Sequence, residues 1–200
     1  MESLAFLAPA TLFMLSMTLT PGPNNVMLTA SGANYGYWRT LPHIFGILIG
    51  CLVLFIAIAL GLGLVFERYP IVQTLLKVLG SAYLLYLAWK IATAPPPDFA
   101  SQQDARPMTF LAACLFQFAN PKAWVMAISG IASFTLSGDA FLASAVVVIA
   151  VMGMTNLPSI ALWAGFGVAV GKMMKTRRHW QVFNAVMGML TAACVLMILS

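Results

Sequence analysis

Two short stretches hold the residues whose types and spacing could do chemistry: Thr20-Pro21-Gly22-Pro23-Asn24-Asn25 and its weaker echo Asn120-Pro121-Lys122. Each interrupts a long apolar segment near its middle. An interior proline costs roughly 3 kcal/mol against alanine in a helix, because it deletes a hydrogen bond and clashes with the preceding turn. In hydrocarbon the freed carbonyls find no water, so such a break persists only against protein or a wet cavity. A broken helix presents a new N-terminus, whose amides favour anions, and a new C-terminus, whose carbonyls favour cations. Two opposed breaks could therefore hold a zwitterion without any full protein charge.

Asn24, Asn25, Asn120 and Asn156 add uncharged donors and acceptors suited to both ends of such a solute, and Asn156 stands beside Pro158 in a third interruption, Thr155-Asn156-Leu157-Pro158. Lys122 is the sharper residue. A lysine at the bilayer centre costs at least ~2.5–3.5 kcal/mol on insertion scales, so it reads as functional and facing a polar interior; the competing reading is a lysine that snorkels to an interface. The candidate substrate-binding set is Pro21, Gly22, Pro23, Asn24, Asn25, Asn120, Pro121, Lys122 and Asn156. Gly46, Gly50, Lys77, Gly80, Tyr83, Gln117, Pro158 and Asn184 form a second set that lines a pathway or packs helices. Snorkelling explains Lys77 as well as function does, and buried tyrosines usually hydrogen-bond within a core. His43 and His179 fall at span ends and read as interfacial, while Cys51, Cys114 and Cys194 read as small packing residues with no disulfide or metal spacing. No cofactor or metal is expected.

The elements that must position these residues are membrane spans. Of the 200 residues 62% are hydrophobic and 8% charged, and the mean hydropathy is +0.94, which excludes an ordinary soluble globule. Crossing ~30 Å of hydrocarbon takes about 20 apolar residues. Six spans follow, at about 4–31, 41–66, 71–92, 108–136, 140–170 and 180–199. The fold expected is all-α and polytopic, a single transmembrane domain over 1–200. The Pro95-Pro96-Pro97 stretch marks a solvated linker, 93–107, between three-span halves at 1–92 and 108–200. An odd number of spans inverts the second half on the first, so the halves read as inverted repeats with proline-broken first and fourth helices. Breaks at matching places in two halves point to a transport site.

Charge gives orientation. Arg39, Lys90, Arg106, Lys172, Lys175, Arg177 and Arg178 share one side, Arg68 alone holds the other, and Lys77 and Lys122 lie within spans. The positive-inside rule puts the rich side and the linker in the cytoplasm and both termini in the periplasm. The excess of bases is thus topological, and no nucleic-acid partner is implied. All five acids, Glu2, Glu67, Asp98, Asp104 and Asp139, fall in termini or turns. A dibasic substrate would leave one ammonium desolvated and unpaired, so neutral zwitterions fit better. With no intramembrane acid and both histidines at span ends, no nucleophile–base set for an enzyme is present. A passive channel, or a transporter for another small polar solute, is the alternative. Gly- and Ala-rich surfaces suit a homodimer and intramolecular packing equally.

The ordered motifs resemble the lysine exporter and homoserine/threonine exporter (LysE/RhtB) family. Thr20-Pro21-Gly22-Pro23, Gly46-x3-Gly50, Gly80-x2-Tyr83-Leu84 running to Trp89-Lys90, and Asn120-Pro121-Lys122 match in order and spacing over essentially the whole chain. Asn24-Asn25 and Trp89-Lys90-Ile91-Ala92-Thr93 are most similar to the cysteine/O-acetylserine exporter branch. The resemblance implies efflux of amino acids or derivatives (cysteine, O-acetylserine, homoserine or threonine type) across the bacterial inner membrane, with protons as the coupling ion in antiport. Dibasic exporters of the family carry an acid in the second span, where this chain reads Gly50-Cys51-Leu52, and several homoserine- and threonine-type relatives carry one where Asn156 stands.

Overall fold

A computed structural model describes residues 6–62, 68–95 and 106–196, with the side chains at positions 70, 73 and 77 outside the description. The described residues form helices and no strand. In chain order these are α1 (Leu7–Leu19), α2 (Pro23–Tyr35), α3 (Tyr37–Ala59), α4 (Pro70–Ala92), α5 (Phe110–Ala119), α6 (Pro121–Phe134), α7 (Phe141–Met173) and α8 (Arg177–Ala193). The chain is an all-helical, multi-pass membrane protein. α3, α4 and α7 are each long and apolar enough to cross a bilayer, and α5 with α6 makes a fourth such unit, bent by 68° at Asn120. α1, α2 and α8, of 13, 13 and 17 residues, fall short of that length singly.

Solvent exposure has the sign expected of a protein dissolved in lipid. Leu12, Val146 and Leu162 are each about two-thirds exposed (66%, 66% and 64%), and such an apolar belt has no place in water. Inside, Met14, Leu28, Ile44, Ile47, Leu54, Phe55 and Met152 are buried in one cluster shared by α1, α2, α3 and α7.

Because lipid is as apolar as a leucine core, helices in a bilayer associate by close backbone approach at small residues. The chain uses glycine for this at several of its crossings. A Cβ on Gly32 of α2 would run into the Ala164 carbonyl oxygen of α7, and one on Gly167 into the Thr29 carbonyl oxygen. Gly46 and Gly50 of α3 meet the Phe110 and Cys114 carbonyls of α5, Gly80 of α4 meets Ala119, and Gly188 of α8 meets Ala88 and Ala92. Gly46, Gly50 and Gly80 thus pack helices of the same chain together.

The third expected break is absent. α7 continues through Pro158, which is exposed. Proline deletes one amide, the one that would bond Met154 O. The turns on either side keep extra bonds: Thr155 Oγ1 donates to Val151 O (2.8 Å) and Ser159 Oγ to Thr155 O (2.7 Å). Pro158 lines neither of the two cavities described below, whereas Asn156, two residues earlier, is buried.

Candidate functional site

The first break is built from three residues. Thr20 ends α1 in an extended conformation, Gly22 is extended in turn, and Pro23 opens α2 at its first helical position, where no amide is needed. The last carbonyls of α1 are drawn into side-chain bonds. Thr18 Oγ1 turns back to Met14 O (2.8 Å), and Asn25 Nδ2 reaches across the gap to Thr18 O (2.9 Å) and Thr20 O (2.8 Å). Asn25 thus ties the two half-helices of its own break together. The N-terminus of α2 carries no side-chain cap. Val26 N bonds Gly22 O (3.0 Å) and Pro23 has no amide, so Asn24 N and Asn25 N form its free donor pair.

The second break closes on itself. Asn120 Oδ1 accepts from Lys122 N (3.2 Å), and Asn120 O accepts from Ala123 N (3.0 Å) and Trp124 N (3.3 Å). On the α5 side, Gln117 O takes Asn120 N (3.2 Å) and Phe118 O takes Trp124 Nε1 (2.8 Å). Its backbone has little left for a solute. What it contributes is Lys122, whose Nζ donates to Thr20 O (2.6 Å), Thr20 Oγ1 (2.9 Å) and Pro21 O (3.3 Å). The ammonium sits at the negative end of α1, where the helix dipole and carbonyls favour a cation.

Between the breaks lies a cavity of about 30 Å³, lined by Gly22, Pro23, Asn24, Asn25, Asn120, Lys122 and Asn156 together with Thr18, Cys51 and several apolar residues. Such a volume holds about one or two waters. Seven of the nine candidate residues therefore meet in one place. Pro21 and Pro121 are not in its lining; they shape the backbone. Asn156 Nδ2 is buried without a protein partner, which costs about 1–3 kcal/mol unless something in the cavity accepts from it.

The second set of candidates divides. Gln117 is fully buried and forms a reciprocal amide pair with Asn24 (Nδ2 to Oε1 2.8 Å, Nε2 to Oδ1 3.2 Å). Tyr83 stacks on Tyr86 and tilts against Phe116, away from the small cavity. Asn184 pairs reciprocally with Asn34 (2.8 and 3.1 Å) and donates to Ala94 O (3.0 Å), joining α8, α2 and the end of α4. Lys77 lies on α4, but its side chain is outside the described residues.

Some site residues were not legible beforehand. Cys51, read as packing, lies in the cavity wall with its Sγ 3.6 Å from Gln117 Oε1. Thr18 and Ser159 share a hydroxyl contact of 3.0 Å beside it. Small hydroxyl residues are common on apolar helices, and nothing in their spacing marks these two. His43, expected at an interface, is instead buried inside the bundle, with neither ring nitrogen paired. The lone histidine near a span start carried no signal of depth.

The chain matches the LysE type translocator family over residues 15–200. It is 28% identical over 189 residues to the cysteine/O-acetylserine efflux proteins of Escherichia coli, Shigella flexneri and Shigella sonnei, covering 93% of each chain. No solved structure matches it. The match spans both helix breaks and every helix but the first half of α1. The chain belongs to the LysE type translocator family, and is a membrane transporter and not an enzyme.

Proposed function

We propose that the protein exports small neutral amino acids or their derivatives, of the cysteine and O-acetylserine type, from the cytoplasm across the inner membrane. One observation carries this reading. The uncapped amides of α2 border one small cavity, and the Thr20 and Pro21 carbonyls at the end of α1 stand on the exposed side beside it, giving a seat for a carboxylate and a seat for an ammonium. Lys122 now occupies the ammonium seat. The substrate's own ammonium would displace it, and the freed lysine would then meet the carboxylate. Asn24, Asn25, Asn120 and Asn156 complete the polar shell, and the absence of a carboxylate in it favours a singly charged ammonium over a dibasic solute.

The relatives' printed names, cysteine/O-acetylserine efflux proteins, agree with that chemistry. Two helix breaks with so small a cavity between them fit a carrier that must rearrange to admit its cargo better than an open channel. In this reading the two half-helix pairs, α1–α2 and α5–α6, each make one bent span. Six spans then form two inverted units, 1–92 and 108–200, joined by the linker 93–107, with both termini outside. The proton gradient drives export, and Lys122, the one cation among the site residues, is the group through which a proton would act.

Profiling the medium of cells overproducing the protein tests direction and substrate together. Neutral amino acids such as cysteine, O-acetylserine, homoserine or threonine should accumulate outside. Accumulation of lysine or arginine alone would sink the reading.

A further inference from the structure

A second cavity, of about 330 Å³, opens between α2, α3, α4 and the start of α5. It is of the size that small-molecule sites occupy. Its wall includes Ser31, His43, Tyr83, Lys90 and Arg106, and, among the described residues, no carboxylate. Lys90 holds its Nζ 5.7 Å from the centre of the Tyr86 ring, which itself stacks on Tyr83. His43 is 2% exposed, and both its ring nitrogens lack a partner within the protein. A buried imidazole left unpaired is costly, and native proteins seldom leave one so.

The two cavities lie along one helix. Asn24 lines the small cavity, and Met27 and Ser31 line the large one. These positions, three and four residues apart, share a face of α2 over about 10 Å. Asn24 is paired with Gln117 at the small-cavity end of that face. The large cavity lies on the side of Lys90 and Arg106, which the charge count places in the cytoplasm.

We propose that this cavity is a loading site for a free amino acid. Lys90 and Arg106 draw in the carboxylate, and His43 completes its hydrogen bonds once the solute is seated. Resting on the export reading above, this adds a second binding site ahead of the helix breaks. Specificity for neutral side chains would begin here, because a cationic side chain meets only like charge.

The test uses the full chain reconstituted in phosphatidylcholine vesicles, so that no anionic lipid headgroup competes for the two cations. Radiolabelled L-cysteine, kept reduced, and its methyl ester, which lacks the carboxylate, are the probes for transport from the Lys90 side. Lys90→Ala with Arg106→Ala should raise the half-saturating cysteine concentration by about tenfold and leave that of the ester unchanged. Lys90→Arg with Arg106→Lys should restore cysteine. His43→Leu should weaken cysteine while raising thermal stability, because it removes an unpaired polar group.

Lys122→Ala protein should still bind cysteine at equilibrium, through the loading site. Unchanged half-saturation in the double alanine variant, or equal losses for acid and ester, would overturn the loading site and leave the export reading standing. Binding that depends on Lys90 and Arg106 in a protein that transports neither probe would do the reverse.

Discussion

Lys122 Nζ lies 2.6 Å from the carbonyl oxygen of Thr20, 102 residues away, and with its bonds to Thr20 Oγ1 and Pro21 O it ties the two helix breaks together. It makes them unequal. The second break satisfies its own backbone through Asn120 and Trp124 and lends a cation to the first. The first leaves the carbonyls of Thr20 and Pro21 to receive it. A symmetric pair of ion seats is therefore the wrong picture: one break receives, and the other supplies the group that fills it when no solute is there.

Lys122→Ala should abolish export while leaving membrane insertion intact. Hydrogen bonds to a charged group are worth about 1.5–3 kcal/mol each, so losing the exchangeable ammonium should cut transport by at least about tenfold. Lys122→Arg should recover little, because a planar guanidinium cannot place one compact charge on three oxygens around Thr20 and Pro21. Transport by inverted vesicles, normalised to membrane-inserted protein, is the measurement. Full transport by the alanine variant would remove Lys122 from the mechanism.

The breaks were legible because proline and glycine in mid-membrane apolar runs have few meanings, and Lys122 because a charge at that depth is costly. Gly46, Gly50 and Gly80 were legible as packing for the same kind of reason. What the residues could not reveal is partnership. Asn25 reads from the sequence like a substrate ligand, yet it bridges its own break. Asn24 and Gln117, 93 residues apart, find each other only in the folded chain. Pro158 carries the same local signal as Pro21, yet α7 runs through it without a break. His43 shows the same limit, since depth along a helix does not say which way the ring faces.

Gly22→Ala tests the seat without touching its charge. An added Cβ would lie 2.9 Å from Lys122 Cδ and 3.2 Å from its Nζ. Gly22 has an extended backbone that alanine adopts freely, so the only conflict is with a flexible side chain. Lys122 should be pushed off Thr20. We expect transport to fall several-fold while thermal stability changes by less than about 1 kcal/mol. A large loss of stability instead would mean that the Lys122 bridge holds the fold and not the solute.

Gly167→Ala should be structurally severe, and Gly165→Ala harmless. The first would drive a Cβ into the Thr29 carbonyl of α2, where no side chain can move aside; the second meets nothing within 4 Å. Forcing two backbones apart costs about 1–3 kcal/mol or more, against about 0.5 kcal/mol for a free surface change. Thermal unfolding in detergent should separate the two variants clearly. Equal stability would show that the α2–α7 crossing is looser than its geometry.

The Asn24–Gln117 pair gives the last prediction, because Asn24 lines the small cavity on the face of α2 that continues to the large one, and both amides of the pair are used. Gln117→Leu alone strands the Asn24 amide, at about 1–3 kcal/mol, whereas after Asn24→Leu alone Gln117 keeps its bonds with Ala113 O and Asn120 Nδ2. Changing both to leucine removes the stranded Asn24 amide, so most of the loss that comes from it should be recovered. A double-mutant cycle on thermal stability should therefore show a coupling of about 1–2 kcal/mol. Transport should not recover with it. An apolar barrier replaces one that a polar solute can exchange hydrogen bonds with, so the stable double variant should still move cysteine slowly from the Lys90 side. Recovery of transport along with stability would mean that the amide pair is only a strut, and that the solute reaches the helix breaks by another route.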